Sequence, residues 1–274
     1  RGPKRHESKI CRGGKEVLMN ILYVTTFDPR LFNMCAKRMV KSFIQNAEGH
    51  LLTCYEGNID IPKHEKIIPQ DISNDEFLIR WSEENADIIP VEYGGKNKDI
   101  KFKVGTVGQF NFRASRWFRK IVALNRALDL YDDYDAVVFV DADTIIINKL
   151  TSRKLLQIFG ESEAIYHLGK YRKMQPVVGA SGVESGVVGF TGKDGKELLG
   201  RWVNKFKTGE FREYQRWDDG YVLRWVVEES DDLNIRDLSG ETPDISVVDK
   251  GPFRQFIFHD KGKTTREIFN RGLF

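Results

Sequence analysis

Asp141 and Asp143 stand two apart in "YDAVVFVDADTIIINKL", Tyr134 to Leu150, directly after five apolar residues and just before a second apolar run, Ile145 to Ile147. Ala136 to Val140 reads as a strand buried on both faces, the habit of central strands in parallel sheets. In an extended chain alternate side chains share a face, so the two carboxylates are expected to project together from the strand's end. Charges set between buried segments need a counter-charge, and a hard divalent cation suits them. Mn²⁺ or Mg²⁺ takes oxygen ligands and shares them between one or two protein carboxylates and substrate phosphates, so a metal here implies a phosphorylated ligand. The alternative is that the two aspartates cap a helix or end the strand in a turn.

Other residues have types and spacings that fit the same chemistry. In "NFRASRWFRKIVALNRAL", Phe118, Ile121, Val122 and Leu128 form an apolar helical stripe, while Arg113, Arg116 and Lys120 fall at i, i+3 and i+7 and are expected on another face. A basic face beside a metal-diphosphate site would neutralise a leaving group, with Arg116 and Lys120 as the preferred pair. His259 follows the apolar "QFIFH" and should emerge at a strand end, where a neutral imidazole can join a metal. Beyond it, a turn at Gly262 and Lys263 can offer a backbone amide and an ammonium to phosphate oxygens. Asp218 and Asp219 open a helix, where carboxylates cap free amides.

Strand and helix patterns alternate around these residues. "VLMNILYVTTF" is an apolar run ending in Thr25 and Thr26, followed by apolar residues at helical spacing: Leu31, Met34, Cys35, Met39 and Phe43. "HLLTCYE" reads as a second strand, Asp71 to Ala86 as a helical or irregular connection, and "EYGGKNKD" as its turn-rich sequel. After the aspartates come helix "KLLQIFG", strand "EAIYHLG", the glycine-rich "VVGASGVESGVVGF", helices "GKELLGRWVNKFKTG" and "WDDGYVLRWVVEES", and strands near "ISVVD" and "FIFHD". Such alternation predicts an α/β fold, a mixed and mainly parallel sheet with helices on both faces, whose ligands bind beyond the carboxyl ends of the strands.

Composition agrees with a globular enzyme-sized domain. The 274 residues are 41% hydrophobic and 30% charged, with a net charge of +3, far from the density of a polybasic binder. Residues 1–18 are expected to be an N-terminal arm or a cloning leftover, since Met19 opens the first strand, and residues 19–274 to form a single domain. No run approaches the roughly 18 apolar residues of a membrane span, and no secretory signal is apparent, so a cytoplasmic protein with no membrane partner is expected. Cys11, Cys35 and Cys54 lack C-x-x-C spacing and predict neither a disulfide framework nor a zinc site.

The motifs together resemble glycosyltransferases of the GT-A (Rossmann-like) fold. "YDAVVFVDADTIIINKL" is similar to their aspartate-x-aspartate segment, the basic helix before it to their donor-binding helix, and "ESGVVGF" to the small-residue strand under the donor sugar. "RWDDGYVLRW" resembles their later acidic motif, and "FHDKGK" the His-x-x-Gly element of the glycogenin-like branch, although its lysine follows the glycine directly. The resemblance implies Mn²⁺ or Mg²⁺ on Asp141, Asp143 and His259. It also implies a nucleotide sugar, with uridine diphosphate expected, contacted by Thr25, Thr26, Arg116, Lys120, Asp141, Ser185, Gly186, Gly262 and Lys263. It makes Asp219, with Asp218 beside it, the acid group that deprotonates or orients an acceptor hydroxyl and steadies a positively charged transition state.

A looser likeness links the chain to small viral and base-J-type enzymes that glycosylate hydroxymethylpyrimidines in DNA. That makes DNA the expected acceptor and the host cytoplasm the expected location if the chain is viral. Phe110, Phe112, Arg113, Arg116, Trp117, Phe118 and Arg119 alternate aromatic and basic character as a nucleic-acid contact would, although core packing of Trp117 and Phe118 is the stronger expectation. A glycan or protein acceptor is the alternative. Two rivals from other classes are a nucleotidyltransferase, for which "TTFDPRLF" lacks a glycine-rich phosphate loop, and a non-catalytic nucleotide-binding module.

Overall fold

The computed structural model of the chain describes residues 19–89, 96, 111, 113–168, 182–239 and 251–260. The expected arm at 1–18, the strand near "ISVVD", Phe110, Phe112, Gly262 and Lys263 lie outside the described residues. Strand β1 (Ile21–Phe27) leads through a single helical turn at Pro29–Leu31 and a π-helical stretch at Phe32–Ala36 into helix α1 (Lys37–Asn46). Asp28 caps the turn, its carboxylate accepting from the Leu31 amide at 2.6 Å. The π-helical stretch shifts the phase of the expected apolar stripe: Phe32 and Ala36 are buried, whereas Met34 is 57% exposed.

Strands β2 (His50–Tyr55) and β3 (Ile67–Asp71) follow, then helices α2 (Glu76–Glu84) and α3 (Ala114–Asp129), strand β4 (Ala136–Val140) and the short strand β5 (Thr144–Ile146). Helix α4 (Ser152–Phe159), strands β6 (Ala164–Tyr166) and β7 (Val187–Thr191), and helices α5 (Gly192–Lys207) and α6 (Asp219–Glu228) come next. Strands β8 (Ile235–Asp237) and β9 (Ile257–His259) end the described chain.

The main sheet runs β3-β2-β1-β4-β7-β6-β8. All its neighbouring pairs are parallel except those of β7, which is antiparallel to both β4 and β6. The mixed, mainly parallel α/β sheet expected from the sequence is therefore observed. The reversal of β7 has a local consequence: its beginning lies at the edge where the parallel strands end, with Val187 paired to Val140. A separate antiparallel pair, β5 with β9, sets His259 opposite Thr144.

Each face of the sheet carries an apolar core, one built mainly with α2, α3, α5 and α6, the other with α1 and α4. In the first core the Phe118 ring lies parallel to Trp81, with centroids 4.0 Å apart, and meets Phe77 edge-on at 4.8 Å. Cys35 and Cys54 are free thiols, and among the described residues no helix is long and apolar enough to cross a membrane.

Phe118 has no exposed surface, so it belongs to the core and not to a ligand-stacking surface. Phe118→Ala is expected to lower unfolding free energy by about 3–5 kcal/mol, as truncation of a buried aromatic does. Urea denaturation followed by circular dichroism would check this; a loss below about 1 kcal/mol would contradict the core assignment.

Candidate active site

The Asp-Ala-Asp segment is a turn and not an extended strand end. The Thr144 amide donates to the Asp141 carbonyl at 3.0 Å, so a tight reversal, in place of the expected strand alternation, brings the two carboxylates to one side. The start of β7 fixes this turn on one flank, through Asp141 N–H donating to the Gly186 carbonyl at 2.9 Å. On the other flank the Asp260 amide donates to the Asp143 carbonyl at 2.8 Å, which seats the end of β9 beside the turn. Arg38 of α1 pairs with the buried Asp260 carboxylate and ties this end of β9 to the helix.

Asp141, Asp143 and His259 converge, each offering one ligand atom within 4.8 Å of the others. His259 Nε2 lies 2.8 Å from Asp143 Oδ1 and 3.8 Å from Asp141 Oδ2. The imidazole is buried, while the two aspartate side chains keep 31% and 33% exposure, so the cluster opens to solvent on its carboxylate side. Gly186 makes room for it: a methyl group there would sit 3.0 Å from His259 Cε1 and 3.1 Å from Asp141 Oδ2. Two hard carboxylates, one imidazole nitrogen and an open side could hold a divalent cation.

Lys120 lies against this cluster in a place the helical pattern did not foretell. Its ammonium is 2.6 Å from Asp219 Oδ2, 3.1 Å from Asp141 Oδ1, 2.9 Å from Ser185 Oγ and 3.1 Å from the Ser185 carbonyl. It also lies 4.5 Å above the centre of the Phe139 ring. Ser185 Oγ donates to Asp219 Oδ2 at 2.6 Å, closing the network. Burial pulls the Lys120 pKa down, but Asp141 and Asp219 more than offset it, and the net shift is upward. The Asp141 carboxyl is pushed up, first by its partial withdrawal from water and further by Asp143 and Asp219, against the pull of Lys120 and His259.

The basic residues of α3 thus do not share one face. Lys120 turns inward to the carboxylates, whereas Arg113, Arg116 and Arg119 line a cleft of about 510 Å³ beyond the carboxyl end of β1. Thr26, Asp28, Arg30, Glu56 and Ser115 complete its polar lining. Thr26 is among these lining residues, but Thr25 is not. As the adjacent residue of a strand it points to the opposite face, is fully buried, and among the described residues its hydroxyl meets no partner. Arg119 is held at the cleft by an ion pair with Glu56 and a 2.6 Å bond to the Ser115 carbonyl. Arg116 is exposed and lies over the Trp117 ring at 5.2 Å.

The two aspartates that open α6 are separated by their partners. Asp219 faces Lys120 and Ser185, while Asp218 caps the helix through the Tyr221 amide at 3.2 Å and accepts from Arg216 Nε at 2.8 Å. Burial raises the Asp218 pKa and Arg216 opposes the rise. Val183 and Gly220 pack backbone to backbone, the Val183 amide donating to the Gly220 carbonyl at 2.8 Å, which brings Ser185 to the helix start. Sequence reasoning passed over Arg216, Arg38, Arg30, Asp28 and Glu56. Only Arg216 carried a local signal, its place two residues before Asp218; Arg38 and Asp260 are 222 positions apart.

No protein-family model matches the chain, and no curated protein matches it in sequence. Among solved structures the chain is similar to the crystal structure of mouse xyloside xylosyltransferase 1 in its apo form, at 12% sequence identity and a TM-score of 0.44, over 80% of this chain and 85% of that one.

Proposed function

We propose that this protein transfers a sugar from a nucleoside diphosphate donor, with uridine diphosphate the expected nucleotide, to an acceptor hydroxyl. The observation that carries the reading is a carboxylate-imidazole cluster, Asp141, Asp143 and His259, past the end of β4, and a cleft past the end of the neighbouring parallel strand β1 that sets four arginines against two carboxylates. Carboxylates attract a cation and arginines attract phosphate, and a metal-bound nucleoside diphosphate offers both. Asp141, Asp143 and His259 would hold Mn²⁺ or Mg²⁺, which when bound supplies charge neutralisation for a leaving diphosphate. Arg113 and Arg116 orient the phosphates from the cleft side, and Thr26 lies at the nucleotide end.

Asp219 takes the role of the anion near the reacting carbon. Lys120 and the Ser185 hydroxyl fix its orientation, so its negative charge stands ready to steady an oxocarbenium-like centre or to align the attacking hydroxyl. Asp218, committed to Arg216 and to the helix cap, holds the start of α6 in place.

The acceptor reading shifts with the core. Phe118 is buried, Arg119 is engaged by Glu56, and Arg113 and Arg116 serve the donor phosphates in this reading, so among the described residues that suggested a nucleic-acid strand the half-buried Trp117 is the one left to meet it. This supports a glycan or protein hydroxyl over a hydroxymethylpyrimidine in DNA. The two differ in one measurable respect. Apparent affinity for a DNA acceptor, at saturating donor and metal, would fall steeply between about 50 and 200 mM salt, whereas a neutral glycan would show a flat response.

Two further outcomes test the donor site. With Mn²⁺ present, the protein is expected to release nucleoside diphosphate and free sugar from a nucleotide sugar, and Asp143→Asn to abolish that release while circular dichroism shows an unchanged fold. Release of nucleoside monophosphate or pyrophosphate in place of diphosphate would point to nucleotidyl transfer. Arg116→Ala is expected to weaken uridine diphosphate by about 1.5–3 kcal/mol, the range of a charge-assisted contact, and to leave uridine itself unchanged. Equal losses for both would take Arg116 off the phosphates.

A further inference from the structure

Asp141 faces two ways. Its Oδ1 is 3.1 Å from the Lys120 ammonium and its Oδ2 is 3.8 Å from His259 Nε2, within the cluster fitted to a cation. One carboxylate therefore separates a fixed positive charge from the position of a second, mobile one. Lys120 cannot easily withdraw: its side chain is 8% exposed, and Asp219 and both oxygens of Ser185 hold it from the other side.

From this we infer that Lys120 is a tethered competitor for the divalent cation, one that makes the cation and the anionic donor bind together and not separately. The inference rests on the reading of Asp141, Asp143 and His259 as cation ligands. Its physical basis is the charge balance around Asp141. Three carboxylates, Asp141, Asp143 and Asp219, and one ammonium, Lys120, sum to −2, which a dication brings to zero. Without Lys120 the carboxylates sum to −3, which draws the cation more strongly yet leaves −1 facing the phosphates even after it binds. The same side chain thus weakens cation binding in the absence of donor and favours diphosphate once the cation is present. Like charges a few ångströms apart and partly withdrawn from water repel strongly enough to matter, and ligand charge count is a main determinant of affinity at hard-cation sites.

The sign of this effect is opposite to that of an ordinary binding or structural residue, and calorimetry on the full chain reads it. MnCl₂ titrated alone is expected to bind Lys120→Met about tenfold or more tightly than wild type. In the presence of saturating MnCl₂, uridine diphosphate is expected to bind the variant about tenfold more weakly. Because Lys120→Met leaves Asp219 buried without its ammonium, the comparison is repeated in an Asp219→Asn background, where the further Lys120→Met change should again tighten Mn²⁺. Mn²⁺ binding that is unchanged or weaker on removal of Lys120 in both backgrounds would overturn the inference. Failure of Mn²⁺ to bind wild type and every variant, with or without uridine diphosphate, would overturn the cation reading and this inference with it. Tighter Mn²⁺ binding in the variants without any metal-dependent cleavage of nucleotide sugars by wild type would sink the transfer reading alone and leave the competitor role standing.

Discussion

The Lys120 ammonium ties together four parts of the chain at the polar edge of the core they share. It comes from α3, Asp141 from the end of β4, Ser185 from the approach to β7, and Asp219 from the first turn of α6. A buried charge is costly unless it is paired and hydrogen-bonded, and removing one partner of such a pair costs about 3–5 kcal/mol. The cost makes the arrangement self-consistent: each element must stay where it is for the ammonium to remain satisfied. With the Asp141–Gly186 and Val183–Gly220 backbone bonds, this contact holds the carboxylate-imidazole cluster, Asp219 at the helix start and the small-residue approach to β7 in register.

That contact exists because β7 runs against its neighbours. The carboxyl ends of β1 and β4 define the edge where an α/β sheet binds its ligands, and only a reversed strand can begin at that edge. Ser185 and Gly186 therefore arrive beside Asp141 as backbone, offering a carbonyl, a hydroxyl and a missing side chain in the space that His259 and Asp141 occupy. The antiparallel pairing of β5 with β9 adds the imidazole from the opposite side. Helix α3 then divides the edge into two fields. Its arginines make the cleft positive, and the carboxylates beyond Lys120 make the cluster negative. Positive and negative fields thus lie side by side along one sheet edge.

Much of the fold was legible in sequence because local periodicity carried it. Ala136–Val140 is buried at every position, as an unbroken apolar run implies, and α3, α5 and α6 lie where amphipathic spacing put them. The strands that escaped notice lack that signal: β3, "IIPQD", has a proline and one buried residue, and β8 is three residues long with none buried. The apolar stripe after β1 failed at Met34 because a π-helical stretch changes the angle per residue, which a 3.6-residue period cannot register.

The chain by itself determined which residue types could do chemistry and where the strand ends fall, since apolar runs and the charges that interrupt them are local facts. That a carboxylate pair and a histidine should lie beyond buried strands was readable on those grounds. Tertiary structure alone decided which of the charges meet. Whether Lys120 faces solvent or the sheet depends on Ser185, 65 positions away, and the imidazole reaches Asp143 across 116 positions. Periodicity assigns a side chain to a helix face, but the direction of a buried charge is set by the counter-charges that compensate its desolvation, and these are known only once the strands have paired.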